Sequence, residues 1–187
     1  MIAAIQRRLA ARSDEDRQGG FTLIELMVVV MIIAILVGIA IPAFLGARRR
    51  AQDTAAKSNL RNALGTAQTI FTDNQAYLPV ADTVGPPLVL GMVNTLKGEE
   101  PSFTFQNATT KSTTAKMISL DTVASSGVAT DPLDEIILSS WSGSGTCFYY
   151  RHVATAGLAT SGTFWNTTGT GTDCQAGNAP AAGWKAL

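Results

Sequence analysis

The stretch "RQGGFTLIELMVVVMIIAILVGIAIPAFLGARRR", Arg17 to Arg50, decides the fold, because it holds one carboxylate, Glu25, at the front of a long apolar run. From Leu26 to Leu45 no residue is charged. Twenty residues at a helical rise of ~1.5 Å cover ~30 Å, the thickness of one hydrocarbon core. A buried helix in a water-soluble protein seldom stays apolar on every side for so long. A lone carboxylate facing lipid costs a few kcal/mol on insertion scales. One reading of Glu25 is an acid that snorkels at the membrane boundary; the other is a charge that meets a partner on a second copy of the chain.

Working outward, the segment before the run, "MIAAIQRRLAARSDEDRQGG", differs from an ordinary secretory signal, which places its cleavage site after the apolar core. Here Gly19-Gly20 precede the core. Cleavage after Gly20 keeps the apolar anchor on the mature chain and creates a new amine at Phe21. Glycines suit that position because a backbone without side chains lies extended in a protease cleft without obstruction.

These residues resemble the processing site and N-terminal helix of the type IV pilin family, the prepilins and pseudopilins. The likeness rests on Gly20, on Phe21-Thr22-Leu23-Ile24-Glu25, and on the apolar stretch with Pro42 near its end, and it covers roughly residues 18–75. It implies cleavage between Gly20 and Phe21 by a membrane aspartic peptidase that also methylates the Phe21 amine. It further implies that Glu25 neutralises the Phe21 amine of a neighbouring copy as chains polymerise into a helical filament. Within one chain the same pair is i, i+4 and shares a helical face. An assembly ATPase and a platform protein enter as separate chains, with inner-membrane lipid around the helix before assembly. Arg7, Arg8, Arg12 and Arg17 balance Arg48, Arg49, Arg50 and Lys57 across the run. The orientation, N-terminus in the cytoplasm and C-terminal domain outside, therefore follows from the resemblance rather than from charge.

Beyond the run, Ala56, Leu60, Ala63, Leu64, Ala67, Ile70 and Phe71 recur at helical spacing, with Lys57, Arg61, Asn62 and Gln68 on the other side. One helix is thus predicted from about Phe21 to Asp73, apolar all round in its first half and amphipathic in its second. Pro42, with Gly38 and Gly46 nearby, is expected to kink it. Arg48-Arg49-Arg50 reads as a solvated stop at the membrane edge, or as a grip on acidic partners or lipid headgroups.

From Tyr77 the language changes. Leu78-Pro79 and Pro86-Pro87 predict a surface connection. Short β-branched and aromatic runs follow at Phe103–Gln106, Lys116–Asp121, Glu135–Trp141, Cys147–Val153 and Gly162–Asn166, separated by Gly/Ser/Thr clusters. The prediction is an α+β fold: a long N-terminal helix packed on a small antiparallel sheet. The domains read as a leader over 1–20, an apolar helix over 21–47, its amphipathic continuation over 48–76, and a β-rich extracytoplasmic head over 77–187. Cys147 and Cys174, an even count in an exported domain, point to one disulfide bounding a C-terminal loop. In the pilin family such a loop is a common surface feature that shapes contacts between subunits.

Other chemistry is sparse. His152 is the sole histidine, and no Cys-x-x-Cys pair accompanies it, which argues against zinc. Asp121, Asp131, Asp134 and Glu135 include no calcium-loop pattern, and "DPLDE" reads as a proline turn entering a strand. No phosphate-binding Gly-rich loop of the Walker kind is present, so the chain does not drive its own assembly. Asn107-Ala-Thr109 and Asn166-Thr-Thr168 fit the N-glycosylation pattern, which short sequences match by chance. The formal net charge is zero, and the head carries more acid than base, so nucleic acid is not indicated. No cofactor and no enzymatic activity are expected. The resemblance implies a structural subunit of a type IV pilus, first a single-pass membrane precursor and then a surface filament. A minor pilin, or a pseudopilin of type II secretion or competence, is the nearest alternative. A monomeric membrane-tethered binding module, which would not depend on Glu25 for filaments, is the alternative from another class.

Overall fold

The computed structural model describes residues 20–80, 91–127, 131–154, 161–168 and 173–187. The leader up to Gly19, the Pro86-Pro87 connection and part of the loop between the cysteines lie outside the described residues. Helix α1 runs over Leu23–Asn74 with Pro42 inside it. The chain divides between Leu45 and Gly46 into two units.

In the first unit every side chain from Phe21 to Leu45 is exposed. Apolar side chains left in the open over such a length require a cover of lipid or protein, and the helix is long and apolar enough to cross a membrane.

In the second unit α1 becomes amphipathic. Ala56, Leu60, Ala63, Leu64, Ala67 and Ile70 are buried, an i, i+4, i+7 stripe that turns one face of the helix to the core. The helix ends where Gln75 takes a positive φ of 56°, the left-handed turn that closes many helices. Two of its last carbonyls are capped by side chains: Asn74 Nδ2 donates to Ile70 O at 2.9 Å and Gln75 Nε2 to Thr72 O at 2.8 Å.

The rest of this unit is a second helix, α2 (Met92–Glu99), and six strands: β1 (Thr104–Gln106), β2 (Met117–Val123), β3 (Glu135–Trp141), β4 (Cys147–Val153), β5 (Gly162–Thr168) and β6 (Lys185–Ala186). They form one sheet in chain order. The five predicted strands are present, with β2 and β5 reaching two residues further than expected. Three features depart from the expectation. The β1–β2 pairing is parallel, Thr104 opposite Met117, whereas β2 to β6 pair antiparallel. The other two are α2 and the C-terminal strand β6, neither of which was predicted.

Alternation along the strands gives the sheet two unlike faces. Phe105, Ile118, Leu120, Ile136, Leu138, Phe148 and Tyr150 face the stripe of α1 and join Met92 and Leu96 of α2 in the main core. Each large apolar side chain sequestered here contributes ~1.5–3 kcal/mol in transfer terms. The opposite face carries a smaller cluster of Cys147, Tyr149 and Cys174, with Ile137, Trp141, Ala179 and Trp184 packed against it. A 3-10 turn at Ala176–Asn178 lies over this face, where Ala176 N donates to Ser119 Oγ at 3.1 Å.

Candidate assembly site

The predicted site residues at the front of α1 form a local structure that explains how the acid is held. Thr22 precedes the first helical residue, Leu23, and Glu25 follows three positions later. The Thr22 amide donates to Glu25 Oε2 at 2.8 Å, and the Thr22 hydroxyl donates to the same oxygen at 2.7 Å. The Glu25 amide in turn donates to Thr22 Oγ1 at 3.3 Å. This reciprocal pair is a capping box: it satisfies donors that every helix N-terminus leaves free, and the carboxylate sits at the positive end of the helix dipole. In the sequence this box is written as Thr-x-x-Glu ahead of an apolar run. Among the described residues no cation pairs with Glu25. Gly20, Phe21 and Glu25 are all exposed.

The second half of α1 is tied to the sheet by polar contacts as well as by the core. Asp53 Oδ1 accepts from Ser142 Oγ at 2.6 Å and from the Ser144 hydroxyl, both in the β3–β4 turn. Asn59 Nδ2 donates to Ala115 O at 2.8 Å. Lys57 lays its ammonium over Phe148, 4.8 Å from the ring centroid, and near Trp165 at 5.4 Å.

Cys147 and Cys174 are bonded to each other, with Cα atoms 5.5 Å apart. The bond fastens the C-terminal segment to β4. Beside it Lys111 Nζ pairs with Asp173 at 2.5 Å, and Ser112 N donates to Cys174 O at 2.8 Å. On the same sheet face Arg151 makes a two-pronged contact with the buried carboxylate of Glu135, each N–O distance 2.7 Å, and its guanidinium lies 5.8 Å from the Trp184 ring centroid.

His152 has a partner that sequence reading did not find. Its Nδ1 lies 2.7 Å from the hydroxyl of Tyr77, which is buried just beyond the end of α1. Burial holds the imidazole below its ordinary value and raises the Tyr77 phenol, with the Asp134 carboxylate adding to the second effect. We therefore assign a protonated phenol donating to a neutral ring. The acids considered as a calcium site are dispersed among separate tasks: Asp134 accepts from Ser125 N and Oγ, both at 2.6 Å, Asp121 accepts from Thr122 N at 2.9 Å, and Glu135 holds Arg151. Among the described residues no cluster of His, Cys, Asp and Glu could hold a metal ion.

Residues 16–41 match the prokaryotic N-terminal methylation motif. The chain is similar to the type IV major pilin protein PilA of Myxococcus xanthus, 49% identical over 70 residues, which is 37% of this chain and 31% of that protein. It is also similar to the type IV wide pilus major component PilA4 of Thermus thermophilus, 47% identical over 58 residues, 31% of this chain and 44% of that protein. The aligned part thus spans less than half the length of either relative. No solved structure matches the chain. The methylation motif and the likeness to two major pilins make the N-terminal part of the chain similar to type IV pilins, and a long apolar helix with an α+β head accords with that likeness.

Proposed function

We propose that the chain is a prepilin: a structural subunit trimmed between Gly20 and Phe21, methylated on Phe21 and polymerised into a type IV pilus through α1. The observation that carries this reading is the unbroken exposure of apolar side chains from Leu23 to Leu45 behind a methylation motif. A helix apolar on its whole circumference can be sheathed by lipid as a monomer and by copies of itself in a filament. The relatives are major pilus components by name, which favours the pilus over the secretion or competence machinery.

Glu25 then serves two stages. In the uncut chain Phe21 N is a peptide nitrogen, and the capping box with Thr22 keeps the carboxylate hydrogen-bonded. After cleavage the Phe21 ammonium of a neighbour supplies a counter-charge, and removing one side of such a buried pair costs several kcal/mol. The peptidase, the ATPase and the platform protein act on the chain as separate machinery. The role is structural rather than catalytic.

Mass spectrometry of the mature chain tests the first step: a methylated Phe21 start is expected, and an intact Met1 or the loss of the whole apolar run refutes it. Electron microscopy of sheared surface material tests the second. Filaments of this chain are expected from the wild type and should be lost with Glu25→Ala.

A further inference from the structure

We propose that a cation-lined pocket on the head, between α1 and β5, receives the Glu99-Glu100 pair of a neighbouring copy. The inference rests on the filament reading and specifies one of its contacts. The pocket encloses about 270 Å³ and is walled by Lys57, Arg61, Tyr150 and Trp165, with Ala186 and Leu187 at its edge. No Asp or Glu side chain lines it, and the α-carboxylate of Leu187 at its edge makes no ion pair with these cations.

Two observations on opposite sides of the charge ledger point to the same contact. On the basic side, Lys57 and Arg61 are one helical turn apart on α1, and Lys185 of β6 lies 5.1 Å from the Trp165 ring centroid. Arg50 falls on the same helical face, about three turns before Arg61. Among the described residues none of these cations has a carboxylate within ion-pair distance. Lys57 is held in place by the faces of Phe148 and Trp165, so its charge is positioned rather than free to wander. A cluster of unpaired cations repels itself, and the whole chain has equal numbers of basic and acidic residues, 14 of each.

On the acidic side, most carboxylates of the head are engaged within the head: Asp53 with Ser142, Asp121 with Thr122, Asp173 with Lys111, and Glu135 with Arg151. Asp73 and Asp131 are exposed singly without such a contact, and Glu99 and Glu100 stand out as an adjacent pair. They are the last residue and the C-cap of α2, side by side at the negative end of a helix dipole, where carboxylates are disfavoured. Glu99 is exposed and has no partner among the described residues, and Glu100 holds only the Ser102 hydroxyl, at 2.5 Å. Two like charges at the wrong end of a helix gain from an external cation cluster. An adjacent copy supplies that cluster at fixed geometry, and complementary charges across an interface set register and reject misaligned partners.

Carbodiimide cross-linking of sheared filaments, read by peptide mass spectrometry, tests the contact directly. Peptides joining Lys57 or Lys185 to Glu99 or Glu100 are expected in filaments and not in the detergent-solubilised full chain. Arg61→Glu alone, and Glu99→Arg with Glu100→Arg, should each lower filament yield about ten-fold, while the three together should restore most of it. Melting of each purified variant in detergent separates assembly from folding. Filaments that form without the cross-link, and a combined reversal no better than its parts, overturn this contact while leaving the subunit reading intact. A pocket found holding a phosphate-bearing molecule in place of the acids, lost with Arg61→Glu, overturns it as well. Absence of any filament from the wild-type chain fells the reading on which it rests.

Discussion

The Tyr77 hydroxyl and His152 Nδ1 meet at 2.7 Å, joining a residue just beyond the end of α1 to strand β4. Around them Phe71 tilts against Tyr77 with centroids 4.9 Å apart, and the Tyr77 amide donates to Leu133 O at 2.6 Å. Tyr77 is therefore hydrogen-bonded through both its hydroxyl and its amide, with apolar packing around it.

That pair makes the head acid-sensitive. His152 has a folded-state value depressed below 6.5 by burial, so below that pH the unfolded chain binds a proton that the folded chain resists. Stability is full above about pH 6.5 and is lost as pH falls from there through the depressed folded value. Thermal melts of the full chain in detergent should show a lower Tm at pH 5 than at pH 7.5. His152→Gln should flatten this dependence, and a wild-type profile flat across the window would contradict the account.

Thr22→Ala should loosen the front of α1. The substitution removes the hydroxyl that both accepts from the Glu25 amide and donates to its carboxylate, and loss of such a cap costs about 1 kcal/mol. Hydrogen exchange at the Glu25 amide should quicken about five-fold in micelles, whereas Thr22→Ser should stay near wild type. Equal exchange in all three would show that the box does not hold in lipid-like surroundings.

Arg151→Met should destabilise the head by about 3 kcal/mol, because it strands the Glu135 carboxylate in a site where its side chain is 6% exposed. Replacing both, with Glu135→Met, should recover much of the loss. A double-mutant cycle by denaturant unfolding reads the coupling directly.

Reducing Cys147–Cys174 closes off a different source of stability. The bridge spans 27 residues, and on the chain-entropy model its removal costs about 3 kcal/mol. Cys147→Ser with Cys174→Ser should lower Tm and speed proteolysis of the C-terminal segment, which otherwise relies on contacts such as Ser112 N to Cys174 O.

Much of this architecture was legible in the residues. The apolar run and the Ala56–Ile70 stripe have one dominant period, and β3 and β4 begin and end where the aromatic and β-branched runs do. What escaped was governed by contacts distant in sequence or by weak local signals. Helix α2 has eight residues, including Gly98, too few turns for a period to show. The β1–β2 pair looks like any two successive strands, and only the path of 107–116 sets it parallel. Strand β6 is two residues held by pairing to Phe164 and Trp165. At the candidate site, the acid and the cysteine pair are readable, while the capping role of Thr22 rests on a two-residue pattern too short to stand out in the sequence. The Tyr77–His152 bond joins residues 75 positions apart, beyond the reach of any local pattern.

The sheet's order across the fold is its order along the chain, β1 through β6. A polypeptide delivered front end first would therefore present the α1 stripe as a template, and every later strand would arrive beside one already laid down. Such a head can mature stepwise during emergence, with the Cys147–Cys174 bond as a late latch and no early strand kept waiting for a distant mate.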